Sequence, residues 1–264
     1  MTEHHSRTDR PGPDARAASV SAPDTAPESG HAPETGQASE SGQVPGSVEE
    51  WENRYSGAEA VWSGRPNVAL VDVVTDLDLT PGRSLDVGSG EGADAIWLAG
   101  RGWQAAGIDL SPTAITRSRV AAETAGADAD FAVANLVDWA AADDHRGAYD
   151  LVTGCFLHTR LPDTRADLMR HLGELVSPGE TLILISHATV PPWAAREDSE
   201  HGEAGHEHGL DGDFSTPEED FTLLTAGGSR PWECVLAETR NRPVTGPDGT
   251  ETELDDGILV ARKV

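Results

Sequence analysis

From residue 48 onward, short apolar runs alternate with stretches whose apolar positions recur every three or four residues. RSLDVG, WQAAGIDL, the weaker DADFAVAN, YDLVTGCF and the most apolar, TLILISHA, read as five strands. The intervening stretches at 93–101, 112–125 and 163–175 have helical spacing, with Ser111 placed to cap the second of them. Two further helices, at 48–55 and 67–77, precede the first strand and end at Pro81-Gly82. Strands that alternate with helices in this way predict an α/β fold, a Rossmann-like doubly wound sheet with helices on both faces. The rhythm changes near the end. A helix at 216–226, with Thr216 and Glu219 in capping-box spacing, is followed by WECVLAETRNRPV and DDGILVARKV across the polar link GPDGTETE. These two strands predict a C-terminal antiparallel hairpin added to the edge of an otherwise mostly parallel sheet.

Residues 1–47 have no aromatic side chain and only scattered aliphatic ones, among many Pro, Gly, Ser, Ala and acidic positions. Such a segment cannot bury enough apolar surface to offset its ordering entropy, so a disordered acidic tail is expected there. It has neither the apolar run of a secretory signal nor the basic character of a transit peptide. About 215 residues remain, enough for one core, and 48–264 is expected to form a single domain. Of the formal net charge of -27, the tail carries -4 and the remainder -23. That field repels phosphate backbones and anionic lipid, so neither nucleic acid nor a membrane surface is expected as a partner. Cys155 and Cys234 form no metal or disulfide pattern and suit a reducing cytoplasm. Lys263 is the only lysine against eighteen arginines, a bias of genome composition rather than of function.

The sharpest chemical signal is SLDVGSGEGADAIWLA, residues 84–99. A strand ends at Val87, and Gly88, Ser89, Gly90, Glu91 and Gly92 turn into a helix. Glycines there admit unusual dihedrals and leave the backbone open to a ligand. Asp109 closes the second strand nineteen residues after Gly90, where a carboxylate suits the two hydroxyls of a ribose. Gly88-x-Gly90-x-x-Ala93 also satisfies the loose dinucleotide pattern, so an NAD(P)-dependent oxidoreductase is an alternative. Asp86 and Glu91 weigh against it, because two anions beside the turn would oppose a pyrophosphate and suit a cationic ligand.

LDVGSGEGADAIWLA followed by GWQAAGIDLS resembles the first two cofactor motifs of the class I S-adenosylmethionine-dependent methyltransferases. The resemblance implies that S-adenosyl-L-methionine is the cofactor and that a methyl group passes to a small-molecule acceptor. It implies that Asp86, Gly88, Ser89 and Gly90 line the methionine portion, that Asp109 binds the ribose, and that Leu110 lies beside the adenine. Asn135 and Leu136 fall where the family places its third motif. Cys155, Phe156 and His158 fall after the fourth strand, beside cofactor and substrate. WENRYSGAEAVWSGRPN resembles the leader of the bacterial tellurite-resistance and thiopurine methyltransferases, which act on small, soft nucleophiles of sulfur, selenium or tellurium. That resemblance implies that residues 48–80 form a helical lid, with Trp51, Tyr55, Trp62 and Arg65 over the cofactor and Arg65 near its carboxylate.

Each sharp reading has a plainer rival. The aromatics at 51, 55 and 62 could simply pack in a core, and Cys155 is better read as a small packing residue than as a nucleophile. A soft nucleophile needs no base; for an oxygen or nitrogen acceptor His158 is the candidate general base. The stretch 190–215 is rich in acids and holds His201, His206 and His208, with His187 just ahead of it. This spacing matches no closed metal site, so a solvated loop and no metal are expected. A protein that binds the cofactor without turnover is the remaining alternative.

Overall fold

In the computed structural model, which describes residues 47–157, 164–189, 215–226, 231–245 and 249–264, five parallel strands form one side of a sheet. They are β1 (Arg83–Val87), β2 (Gln104–Asp109), β3 (Ala129–Val133), β4 (Tyr149–Cys155) and β5 (Val176–His187). Two long antiparallel strands, β6 (Trp232–Thr245) and β7 (Glu251–Lys263), complete the order β3-β2-β1-β4-β5-β7-β6. The hairpin therefore joins the sheet through its second strand, with β7 antiparallel to both neighbours. This is the mostly parallel doubly wound sheet expected from the alternation.

The side-chain period of two divides the inner strands between two cores. Leu182 and Leu184 of β5, with Leu259 and Ala261 of β7, face one core; Ile183 and Ile185, with Ile258 and Val260, face the other. Helices α6 (Arg165–Leu175) and α7 (Pro217–Ala226) close the first core with Leu168, Met169, Leu172 and Leu224. Helices α2 (Val68–Asp76), α3 (Ala93–Gly100) and α4 (Pro112–Ala125) close the second with Leu70, Val73, Leu98 and Ile115. Each fully buried Leu or Ile stabilises by roughly 1.5–3 kcal/mol relative to exposure. Two flanking helices complete the set among the described residues, α1 (Val48–Tyr55) ahead of α2 and α5 (Leu136–Ala141) after β3.

Helix starts follow side-chain chemistry. Ser111 accepts from the Ala114 amide, and Thr216 and Glu219 exchange reciprocal bonds, both as expected. Thr164 forms a full capping box with Asp167, which sets the start of α6. Helix α5 is not in the sequence expectation; its six residues are too few for a period to show. Asn135 caps it, accepting from the Asp138 amide at 2.7 Å. The expected tail through residue 46 and the expected loop at 190–214 lie outside the described residues. Among the described residues no helix is long and apolar enough to cross a membrane.

Candidate active site

Strand β1 carries Asp86 to the carboxyl edge of the sheet, and the chain then turns sharply into α3. Gly88 has φ +71° and Gly90 has φ +52°, conformations that side chains rarely adopt. A Cβ on Gly90 would lie 3.0 Å from Tyr55 Oη and 3.2 Å from Trp62 Nε1. The amides of Gly88 and Ser89 both donate to the Ile108 carbonyl at 2.9 Å, which ties the turn to β2. The Ser89 hydroxyl is buried, has no hydrogen-bond partner among the described residues, and fills the space that a Gly107 Cβ would take.

Asp109 is gripped by backbone on both oxygens: the Gly90 amide donates to Oδ2 and the Ser111 amide to Oδ1, each at 2.9 Å. Burial pushes its carboxyl upward, while the amides of Ser111, Gly90 and Leu110 pull it back down. Its oxygens keep lone pairs for further donors. Asp86 is 3% exposed and accepts from Thr153 Oγ1 at 2.8 Å. Burial drives its carboxyl well above the ordinary range, and the nearby charges of Asp94 and Asp109 push the same way. Both acids of the expected site therefore sit where a positive charge would relieve them.

Glu91 differs from its sequence reading as a source of negative potential. Its carboxylate accepts from the amides of Val61 and Trp62 and from Arg117 Nη1, the last at 2.7 Å. Arg117 offsets the charge and also donates to the Gly57 carbonyl. Glu91 is thus a fastener for the leader. Glu52 is another: from α1 it accepts from Ser111 Oγ and Thr113 Oγ1, each at 2.5 Å, at the start of α4. Those two hydroxyls hold its carboxyl below the usual value.

The leader brings Tyr55 and Trp62 against Gly90, with Trp62 Nε1 donating to Tyr55 Oη at 2.9 Å. Tyr55 is buried, and burial raises its phenol above the ordinary value. Trp51 is half-buried. Arg65 is exposed, its amide donating to Ser63 Oγ. Arg54 is the arginine found among the aromatics, 5.1 Å from the Trp62 ring and 6.0 Å from that of Trp51. Nothing in the spacing distinguishes these two arginines, because the choice depends on how the loop after α1 folds back.

Beyond β1, strand β4 ends at the half-buried Cys155, and Phe156 follows at φ +52°. A bulky residue in that region is strained and needs external support. The Phe156 amide donates to the Ile185 carbonyl at 2.7 Å, and its ring stacks on His187, centroids 4.2 Å apart. His187 Nδ1 lies 3.4 Å from Asp256, a carboxylate 3% exposed that also pairs with Arg242. The Arg242 guanidinium in turn sits 5.5 Å from the Phe156 ring. The sequence reading named Phe156 and His187 separately but not Arg242 or Asp256, because the group is assembled from the end of β4 and from β5, β6 and β7. His158, the expected base, lies outside the described residues, as do His201, His206 and His208. Leu110 and Leu136 are half-buried, and the Asn135 side chain is engaged by Asp138 at both its oxygen and its nitrogen.

This geometry has counterparts. A methyltransferase-domain family model matches residues 62–210. The ubiquinone biosynthesis O-methyltransferase of Xanthomonas euvesicatoria is 34% identical over 124 residues, covering 47% of this chain and 51% of the relative. The 2-heptyl-1-hydroxyquinolin-4(1H)-one methyltransferase of Mycobacteroides abscessus is 29% identical over 139 residues, 51% of this chain and 60% of the relative. The chain thus spans roughly half to three fifths of the length of these curated relatives. Among solved structures, a protein from work on conversion of a disulfide bond into a thioacetal group during echinomycin biosynthesis aligns with TM-score 0.61 at 22% identity, over 82% of this chain and 93% of the other. TehB from Haemophilus influenzae aligns with TM-score 0.52 at 14% identity, over 82% of this chain and 67% of the other. At those identities the two structures speak to the fold alone. The family model covers more than half of the sequence, glycine turn included, and the chain belongs to the methyltransferase-domain family.

Proposed function

We propose that this chain transfers the methyl group of S-adenosyl-L-methionine to a small-molecule acceptor. The observation that carries the reading is Asp109, fixed by two backbone amides opposite the glycine turn with lone pairs left for a vicinal diol. The donor set fits the rest of the ligand. The glycine turn exposes main chain rather than side chains to the space bounded by Leu157, Tyr55 and Trp62, and a buried Asp86 pressed toward neutrality is relieved by a neighbouring cation. A dinucleotide fits worse, since its pyrophosphate at the glycine turn would meet the buried Asp86. In this reading Asp86 and the turn hold the methionine portion, Asp109 the ribose, Leu110, Asn135 and Leu136 the adenine, and Cys155 flanks the reacting end.

Bound there, the sulfonium supplies an activated methyl group. The protein's own work is to orient and to exclude water, which accounts for a large part of the acceleration in such transfers. Thr153 fixes one oxygen of Asp86. Tyr55 and Trp62 pack against Gly90 and confine that side of the turn. The relatives named as methyltransferases of a ubiquinone pathway, by transfer to oxygen, and of a hydroxyquinolone support an oxygen acceptor over a soft sulfur, selenium or tellurium nucleophile.

Calorimetric titration with S-adenosylhomocysteine tests the reading. Wild type is expected to bind, and Asp109→Ala to bind roughly 100-fold more weakly, since hydrogen bonds to a charged group contribute about 1.5–3 kcal/mol each. Wild-type protein that fails to bind at millimolar ligand overturns the assignment.

A further inference from the structure

Trp51, Arg54 and Tyr55, spaced by three and four residues, share one face of α1. Two links seat that face at the donor cleft. The Ser111 amide holds Asp109 while the Ser111 hydroxyl donates to Glu52, which places α1 beside that carboxylate. Tyr55 Oη lies 3.0 Å from where a Gly90 Cβ would be. Besides burial, the charges of Asp109 and Arg54 both reach this phenol, in opposite senses. Arg54 therefore stands on the leader side of the glycine turn. We propose that the Arg54 guanidinium and the Tyr55 hydroxyl together form an anion site that takes the carboxylate of the methyl donor. This rests on the methyl-donor reading above and assigns a charge of that ligand for which it named no partner.

What distinguishes Arg54 is a cation without an anion. Its Nε is buried with no hydrogen-bond partner, and no carboxylate of the described residues pairs with its guanidinium. Burial holds its pKa below the ordinary arginine value, as for a charge stripped of water with nothing negative in return. The indoles of Trp62 and Trp51 lie 5.1 and 6.0 Å from it, toward the outer reach of a cation–π contact, so they offset only part of that loss. Two acids that hold the leader are already engaged, Glu52 with Ser111 and Thr113, and Glu91 with Val61, Trp62 and Arg117. Tyr55 repeats the pattern. Its buried oxygen accepts from Trp62 Nε1, and its own proton has no acceptor among the described residues. A leftover cation beside a leftover hydroxyl donor calls for one negatively charged acceptor.

The donor carries such a group. Its amino-acid end has an ammonium and a carboxylate, and its sulfur is positive. The buried Asp86 suits the positive charges and opposes the carboxylate, so a cation has to meet the latter. With Asp86 on the β1 side of the turn and Arg54 on the leader side, each sign of the ligand finds its opposite. A guanidinium presents paired N–H groups that match the two oxygens of a carboxylate. Arg65, expected near that carboxylate, is exposed, and Arg54 takes its place in this assignment.

The test uses two ligands that differ only in the carboxylate, S-adenosylhomocysteine and its decarboxylated form. In calorimetric titration, wild type is expected to prefer the first by about 10–100-fold, the effect of a charge-assisted hydrogen bond. Arg54→Met is expected to lose most of that preference, binding S-adenosylhomocysteine more weakly and the decarboxylated ligand no more weakly than wild type does. Arg54→Lys, which keeps the charge without the paired donors, is expected to fall between. Tyr55→Phe is expected to weaken S-adenosylhomocysteine about 3–10-fold, as for a neutral donor, and to spare the decarboxylated ligand. Equal weakening of both ligands in Arg54→Met would give Arg54 a structural part only and overturns the proposal. A preference kept in Arg54→Met, even with a raised KM for the acceptor, overturns it, as does a preference lost in Arg65→Ala instead. Wild type that binds the decarboxylated ligand as well as S-adenosylhomocysteine overturns it without any variant. Wild type that binds neither at millimolar concentration overturns the donor reading itself.

Discussion

Two carboxylates 23 residues apart in sequence, Asp86 and Asp109, meet at one edge and are treated differently by their surroundings. Backbone amides counter the burial of Asp109, whereas Asp86 has one hydroxyl and two like charges nearby. The raised carboxyl of Asp86 has a consequence for stability. The folded protein holds this proton more tightly than the unfolded chain, so its contribution is full below about pH 3.9 and is lost as pH rises through the raised folded value. Asp86→Asn keeps the bond from Thr153 and removes that loss. Its Tm in scanning calorimetry is expected to exceed that of wild type at neutral pH, with the gap closing toward pH 4. Parallel curves for the two proteins would show that the buried acid carries no such cost.

At the scale of elements, the leader is fastened by charge. Glu52 caps the start of α4 from α1, and Arg117 of α4 binds both Glu91 and the Gly57 carbonyl. Loss of a capping carboxylate costs about 1 kcal/mol. Glu52→Ala is therefore expected to speed amide exchange in residues 57–66 roughly five-fold, and Arg117→Ala to do at least as much, with β4 and β5 unchanged. Uniform acceleration through the sheet would mean that the leader is part of the core instead. Periodicity made most elements readable, because a strand or a three-turn helix repeats its pattern enough times to be seen. Helix α5 repeats too little, and only the Asn135-to-Asp138 spacing marks it. Glu91 is visible as a charge in the turn, but its partner Arg117 is 26 residues away. His187 and Asp256 are 69 residues apart, and only the register of β5 on β7 brings them together. The contact between the glycine turn and Asp109 lies within one turn and the next strand end, and so was legible; the group around His187 and Asp256 is made by sheet register, and was not.

For the whole molecule, the formal charge of -27 sets a tension between solubility and compactness. Screening shortens from about 30 Å at 0.01 M salt to about 8 Å at 0.15 M, so sodium chloride over that range weakens the repulsion among surface acids. Tm is expected to rise by a few degrees, since about 1 kcal/mol moves a domain of this size by roughly 2–4 °C. A Tm that falls over the range would show that the ion pairs Arg117–Glu91, Arg165–Asp220 and Arg242–Asp256 outweigh the net field. The placement of β7 bears on how the molecule is made. Residues 251–263 are translated after every other described strand, yet they fill an interior place between β5 and β6. A nascent chain emerging from the ribosome therefore carries an open β5 border, with Ile183 and Ile185 lacking their partners, until the final hairpin arm appears. The glycine turn and Asp109 are translated long before then, whereas the pairing of His187 with Asp256 has to wait for β7, so the two ends of this sheet edge are completed at different times during synthesis.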